Sequence, residues 1–388
     1  MHVLESVVKR SGRPALFAVG ACLFYLAALW PLLSHHKFDT SVLIVAGGAF
    51  VDPSRVPSPV AVRGPKGYDG QFYYRLAIDP FTLAQDAYGV HIDNVPWRAQ
   101  RILYPLIVHA AAFGRPEWVP AAMLIVNLAG LAAIAFFAAR IASRLNLGWA
   151  FPVAVMLWPG LVVTLGRDLT EIVAAALVLA AIDGYLSRRM VLFALLGGAA
   201  SLTRETSLPF LLGVFLFEAW SVWKGREPFK TAILCAVAIV PNIIWRGTLV
   251  ILTEQSIINA QLDNADWPLV GYANALLAAQ NFSFFAMFFT ISLLCLLLFL
   301  ALVALSIVRR PEANGVVVGW LLLASPMLCL GAAGPLVEPI AYFRAFTECF
   351  MVGAIVLAKG PLWRSGVMLP CLAVLWYGAW QNVLGTAW

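Results

Sequence analysis

"RILYPLIVHAAAFG", residues 101–114, is the stretch whose reading sets the course of the whole chain. As a helix it would cover about 21 Å at 1.5 Å per residue, short of the roughly 30 Å hydrocarbon core of a bilayer. Counting it as a crossing inverts every later loop, whereas laying it along the interface inverts none. On the second reading Lys9/Arg10/Arg13, Arg140/Arg144, Arg188/Arg189, Lys224/Arg226/Lys230, Arg309/Arg310 and Lys359/Arg364 all fall on one side. Of 26 basic and 20 acidic residues, that side holds fourteen basic and five acidic, and the other twelve basic and fifteen acidic. Cytoplasmic loops carry an excess of Lys and Arg, so the N-terminus is expected in the cytoplasm and residues 34–117 outside.

Composition points the same way. Of 388 residues, 62% are hydrophobic and only 12% charged, against about 45–50% and about 25% in a soluble domain. Apolar runs at 15–33, 118–140, 147–165, 168–187, 190–203, 208–223, 231–252, 283–308, 315–334, 340–358 and 367–384 predict about eleven transmembrane helices. The unbroken runs exclude a β-barrel, whose strands alternate. The expectation is an all-α polytopic membrane protein, with residues 1–388 as a single integral membrane domain. Within it lie the extracytoplasmic loop 34–117 with its interfacial helices, a helical core at 118–252, a second outer loop at 253–282 and C-terminal helices at 283–388.

The net charge of +6 is dispersed as pairs between apolar runs, which argues against nucleic acid as a partner. Six cysteines, all in or beside apolar runs and without C-x-x-C spacing, read as small buried hydrophobes. No G-x-x-x-x-G-K-[ST], G-x-S-x-G or H-E-x-x-H occurs, so nucleotide, serine-hydrolase and zincin chemistry find no support.

Charge of both signs gathers on the expected outer face. In "KGYDGQFYYRLAIDPF", 66–81, Asp69 is either the N-cap of a short helix or a catalytic carboxylate sharing a face with Tyr73. Asp79, four residues after Arg75, reads as a turn residue that Arg75 can pair with. "GRDLTE", 166–171, sets Arg167 and Asp168 at a helix mouth with Glu171 a turn deeper, as first-turn acids or as functional carboxylates. "LTRETS", 202–207, offers Arg204 and Glu205 as an ion pair or a ligand site. "YFRAFTE" spaces Arg344 and Glu348 for an i,i+4 salt bridge, with anion binding by Arg344 as the functional reading. Arg101 and, less directly, Arg246 are further anion-binding candidates. His35, His36 and His91 share the outer loop with several acids, but their spacing matches no metal-ligand motif.

In this order the motifs resemble the GT-C superfamily of membrane glycosyltransferases. "YDGQFYYRLA" is similar to the W-D-x-x-x-Y-type motif of the GPI-anchor mannosyltransferases and their bacterial relatives, with Asp69 and Tyr73 in the matching places. "RILYPLIVHAAAFG" looks like their juxtamembrane helix, "GRDLTE" like the acidic turn between their third and fourth helices, and "SLTRETSLPF" like their L-T-[KR]-x-x turn. With "YFR" added, the set resembles bacterial proteins described as cell-surface glycopolymer formation proteins. Tyr68 replaces the tryptophan before the aspartate, and no second D-x-D or E-x-D pair stands in the outer loop.

The resemblance implies an inverting glycosyltransferase of the bacterial inner (plasma) membrane, working on its extracytoplasmic face. It would take a polyprenyl-phosphate sugar donor and a glycan or glycolipid acceptor, with membrane lipid around it and no cofactor, a divalent metal being the weaker alternative. Asp69 would be the general base, and Tyr73, Arg101, Asp168, Glu171, Arg204, Glu205 and Arg344 would bind substrate. A flippase or transporter, and a polymerase or ligase of lipid-linked glycans, are the rival readings. A carrier would place ionisable groups near the midplane of repeated halves, whereas here they stand mainly at the outer helix ends.

Overall fold

The computed structural model describes residues 14–257, 265–278, 284–310, 313–331, 334–336, 340–358 and 368–385. The basic residues at 9–13 and 359–364, and residues 258–264 and 279–282 of the loop 253–282, lie outside them. Apart from one two-stranded hairpin and isolated bridges, the described chain is helical.

Helix α1 (Pro14–His35) leads into the segment 34–117. There a 3₁₀ turn (Thr40–Ile44), α2 (Gly70–Ile78), the hairpin β1 (Asp86–Ala87) and β2 (Val90–His91), α3 (Val95–Ala99) and α4 (Leu103–Ala111) build a small core. The remaining helices are α5 (Val119–Arg144), α6 (Ala150–Met156), α7 (Pro159–Leu165), α8 (Glu171–Leu186), α9 (Met190–Thr203) and α10 (Leu208–Trp223). They continue as α11 (Phe229–Val237), α12 (Val240–Thr253), α13 (Val270–Ala278), α14 (Phe284–Arg309), α15 (Gly315–Leu328), α16 (Ala341–Ala345), α17 (Thr347–Ala358) and α18 (Met368–Gly385).

Five stretches are long and apolar enough to cross a membrane: Pro14–His35, Pro116–Arg144, Glu205–Trp223, Phe229–Thr253 and Ala286–Arg309. Shorter apolar helices stand at Met190–Thr203, Gly315–Leu328 and Thr347–Ala358. This composition is compatible with a multi-pass membrane protein. The residues 101–114 form only the nine-residue α4, about 13–14 Å long, packed between α2 and α5.

Three segments read as continuous helices are broken. The run 147–165 divides at Trp158, whose extended backbone (φ −65°, ψ 123°) is what the residue before Pro159 prefers. The run 231–252 divides at Ala238–Ile239, just ahead of Pro241, and 340–358 divides at Phe346.

The segment 34–117 packs as a unit on the bundle. Ile44, Phe72, Tyr73, Leu76 and Tyr104 join Met123, Leu169, Val173 and Leu249 in one apolar cluster. All of α2 is buried, including Arg75. Arg75 does not form the expected pair with Asp79: it donates to the carbonyls of Thr82 and Ala84, clamping the following loop, while Asp79 accepts from the Tyr88 hydroxyl at 3.1 Å. Gly70 permits a close contact between two turns. A Cβ there would lie 2.4 Å from the Arg167 carbonyl oxygen and 2.7 Å from that of Ile44, so the turn carrying Asp69 presses directly on the turn carrying Arg167.

In the bundle, α8 is buried on nearly every side and apolar apart from Glu171 and Asp183, as suits a central helix, and it packs on α5, α9 and α17. Helices α10 and α15 meet at Gly213 and Gly319, where a Cβ on Gly213 would come within 2.5 Å of Gly319 Cα. Small residues let membrane helices approach this closely. Gly213→Val is expected to lower stability by about 1–3 kcal/mol through overpacking, measured by thermal unfolding in detergent. Gly20→Ala, with no atom near the new methyl, should leave the transition unchanged.

Candidate functional site

Asp69 stands at the N-terminal boundary of α2, yet its side chain makes no capping hydrogen bond. The carboxylate faces arginines instead. Arg98 Nη1, on α3, lies 2.9 Å from Oδ1, and Arg344 Nη1, on α16, lies 3.1 Å from Oδ2. The N-cap role expected of the Asp69 side chain is therefore not the one it takes.

The pairs continue inward as a connected network. Arg344 Nη1 also lies 3.0 Å from Glu171 Oε1, and Arg204 Nη2 lies 3.4 Å from the same oxygen. Arg204 Nη1 then reaches Glu348 Oε2 at 3.1 Å. Glu348 further accepts from the hydroxyls of Thr206 (2.7 Å) and Ser207 (3.1 Å). Beside this chain, Arg101 grips Glu205 with both arms of its fork, Nη2 at 2.6 Å and Nε at 2.9 Å, and donates a third bond to the Tyr73 hydroxyl. Arg98 likewise holds Asp93 through Nε at 2.9 Å and Nη2 at 2.6 Å.

The pairings differ from those that sequence spacing suggests. Arg344 and Glu348 do not form the i,i+4 bridge, and Arg204 does not pair with its neighbour Glu205. Each turns to a partner on another element: Arg204, Thr206 and Ser207 of the connection between α9 and α10 reach Glu348, while Arg344 turns to Asp69 and Glu171. Asp69, Tyr73, Arg101, Glu171, Arg204, Glu205 and Arg344 all enter the network. Asp168 stands behind it and makes no ion pair among the described residues. Its backbone is left-handed (φ 47°), and Oδ1 accepts from Asn127 Nδ2 at 3.3 Å. Asn127 also donates to the Tyr104 hydroxyl at 3.0 Å, and that ring packs edge-on against Tyr73.

Exposure falls along the network. The side chains of Asp69, Arg344 and Arg98 are 17%, 15% and 12% accessible, whereas those of Glu171 and Glu348 are 1% accessible. The outer three therefore form the edge that an incoming molecule meets. Aromatic faces support the cations: Arg98 lies over Phe72 at 4.4 Å, and Arg167 and Arg344 lie over Tyr68 at 4.2 and 5.0 Å. Several buried polar atoms have no hydrogen-bond partner among the described residues, including Glu171 Oε2, Arg344 Nε, Arg204 Nε and Arg167 Nη1. Such atoms fit a site built to receive further polar groups.

Burial works against the charge on Asp69, but Arg98, Arg344 and Arg101 outweigh it and hold the carboxyl well below the usual carboxylate range. Burial also opposes the charge on Arg98, and Asp69 and Asp93 more than offset it, raising Arg98 above the ordinary arginine value. Burial pushes the Tyr73 hydroxyl up, so it remains a neutral donor and acceptor. The site is thus an ionised carboxylate held between guanidinium groups. His91 pairs instead with Asp86 at 2.8 Å, and among the described residues no three His, Cys, Asp or Glu side chains gather as metal ligands.

Arg98, Asn127 and the Tyr68–Arg167 contact are the members that sequence reasoning missed. Arg98 and Arg101 sit three apart in "PWRAQR", a spacing that brings both toward one helical face. Asn127 is a lone amide inside an apolar run, itself a signal in a membrane helix.

No protein-family model matches the chain, and neither the curated proteins nor the solved structures searched contain a match.

Because the folded-state pKa of Asp69 is depressed, its ionic contribution to stability is complete above the usual carboxylate value of about 4. It is lost as pH falls through the lower folded value. The difference in unfolding temperature between the wild type and Asp69→Asn should therefore be constant at neutral pH and change only below about pH 4. A difference that varies between pH 5 and 8 would contradict the assignment. Breaking the deeper pair by Arg101→Ala should cost about 3–5 kcal/mol, since Glu205 is left buried and unpaired.

Proposed function

We propose that this chain is a membrane glycosyltransferase of the GT-C kind, moving a sugar from a polyprenyl-phosphate donor to a glycan or glycolipid acceptor. In this reading about eleven helices cross a bacterial plasma membrane, the N-terminus is cytoplasmic and the Asp69 network faces the outer side. The motif order supports the family. The observation that carries the chemistry is the placement of Asp69 between Arg98 of the outer loop and Arg344 of the bundle, at the accessible edge of the network.

A sugar phosphate needs two things from such a site. The departing phosphate must have its developing charge held, and guanidinium forks in a poorly solvated cleft do this well. The acceptor hydroxyl must lose its proton as its oxygen bonds to the anomeric carbon, so a carboxylate must stand within reach. In the proposed step the acceptor oxygen attacks C1, the C1–O bond to phosphate breaks with its electron pair leaving on the phosphate, and Asp69 takes the acceptor proton. One base and no covalent intermediate give inversion at C1, as in one-step displacement at other sugars.

The depressed pKa of Asp69 fits this sequence. Without donor, Arg98 and Arg344 are spent on the carboxylate and its basicity is low. A donor phosphate competes for both guanidinium groups, and drawing them away restores basicity to Asp69 at the moment that substrate is present. Tyr73, held by Arg101, lies beside the carboxylate to orient a hydroxyl. Asp168, Glu171, Arg204 and Glu205 supply the deeper polar wall.

The test is transfer from a panel of polyprenyl-phosphate sugars by the purified chain. Asp69→Asn should lower kcat by roughly 10²–10⁴-fold, the range for loss of a general base. Arg344→Ala removes a charge-assisted contact worth about 1.5–3 kcal/mol and should raise KM for the donor by ten- to a hundredfold. Absence of transfer by the wild type from every donor, or full activity in Asp69→Asn, would remove the proposal.

A further inference from the structure

Helices α8, α10 and α17 all begin at the ion network and end together at the opposite end of the bundle. Tyr185 lies fourteen residues beyond Glu171 on α8, about 21 Å along the helix. There the ends of α8, α10, α14, α15 and α17 surround a cavity of about 520 Å³, within the roughly 300–1,000 Å³ of small-molecule pockets. Nothing in the glycosyl-transfer reading uses it.

The cavity has three distinct parts. Its inner wall is apolar, formed by residues such as Phe217, Ile307, Val317 and Ile355. Glu218 stands in this wall, 1% exposed. The Tyr185 hydroxyl donates to Glu218 Oε1, while Oε2 has no hydrogen-bond partner among the described residues. The rim carries Arg188, Arg226 and Arg310, from three separate connections. Arg188 meets Glu227 at 2.9 Å, and Arg226 lies over the Trp220 ring at 5.0 Å.

A buried carboxylate oxygen lacking a donor is costly, and a ligand that brings an O–H or N–H would satisfy it. Three guanidinium groups line one rim, where Glu227 is the single rim acid among the described lining residues, and such a rim favours a phosphate. Next in sequence to the lining residues Phe217, Ser221, Ser306 and Ile307, the side chains of Leu216 and Trp220 of α10 and Leu305 and Val308 of α14 are apolar and exposed, a surface suited to acyl chains. We infer that this cavity is a phospholipid site: the headgroup phosphate is held by Arg188, Arg226 and Arg310, a hydroxyl or amine beyond it donates to Glu218 Oε2, and the acyl chains follow the apolar wall outward.

The test is equilibrium binding to the full chain in detergent, independent of any transferase assay. Three probes separate the sources of phosphate: dioctanoyl phosphatidylglycerol, glycerol phosphate without acyl chains, and dioctanoylglycerol without phosphate. Phosphatidylglycerol should bind saturably at one site, with both fragments at least about tenfold weaker, or about 1.4 kcal/mol. Arg226→Ala combined with Arg310→Ala should weaken it by about tenfold or more, and so should Glu218→Gln, which keeps an acceptor for Tyr185 but turns a donor toward the ligand. The two arginines are exposed, so their replacement tests the site even if Glu218→Gln does not fold. Binding unchanged by the arginine replacements, or no saturable binding, overturns the site. Glycerol phosphate binding as tightly as the lipid overturns the lipid assignment in favour of a soluble phosphate ester.

Discussion

A single guanidinium nitrogen, Arg344 Nη1, lies 3.1 Å from Asp69 and 3.0 Å from Glu171. Through it the segment 34–117 is fastened to the bundle by charge as well as by apolar packing. From that nitrogen the network runs outward to Arg98 and Asp93 and inward to Arg204 and Glu348. Moving α2, the turn at 166–171 or α16 separately would strand a buried charge, which costs several kcal/mol. The elements that carry the network are therefore held in one relative position. Tyr73 and Glu205, both tied to Arg101, brace the same arrangement from the side.

Buried ion pairs are a poor way to gain stability, because desolvation consumes most of the Coulombic attraction and an apolar replacement is often as good. A connected set of arginines and carboxylates between membrane-type helices asks for another explanation. Exchange of partners supplies one. The outer pairs are the accessible ones, and in the proposed transfer a donor phosphate would offer Arg98 and Arg344 a substitute anion of the same charge sign as Asp69. The inner pairs, shielded from solvent, would keep the frame intact while the outer pairs are exchanged. The two ends of α8, α10 and α17 thus carry unlike chemistry: paired charges at the loop end, an arginine rim over an apolar cavity at the other.

Much of the fold was legible because burial of apolar helices leaves long runs in the sequence, and the short α4 was marked by its length alone. The breaks at Trp158 and Phe346 were harder to see. Pro159 and Pro241 signal a stop as readily as a kink within a crossing, and tertiary packing decides between them. For the site, residue types were readable and pairings were not. Arg344 and Glu348 have the spacing of a helical salt bridge, yet Thr206, Ser207 and Arg204 satisfy Glu348 from elements 140 or so positions away. Spacing along a helix shows only which contacts are possible; the neighbouring turn determines which is made. Arg98 was overlooked because a basic residue in an outer loop looks solvated until Asp69 and Phe72 are brought against it.

The most direct measurement is a structure of the chain with a phosphonate analogue of a polyprenyl-phosphate sugar bound. The account predicts phosphonate oxygens within hydrogen-bond reach of Arg98 and Arg344, with the Asp69 carboxylate released from at least one of them and turned toward the sugar. An analogue seated elsewhere, with Asp69 still clasped by both arginines, would contradict it.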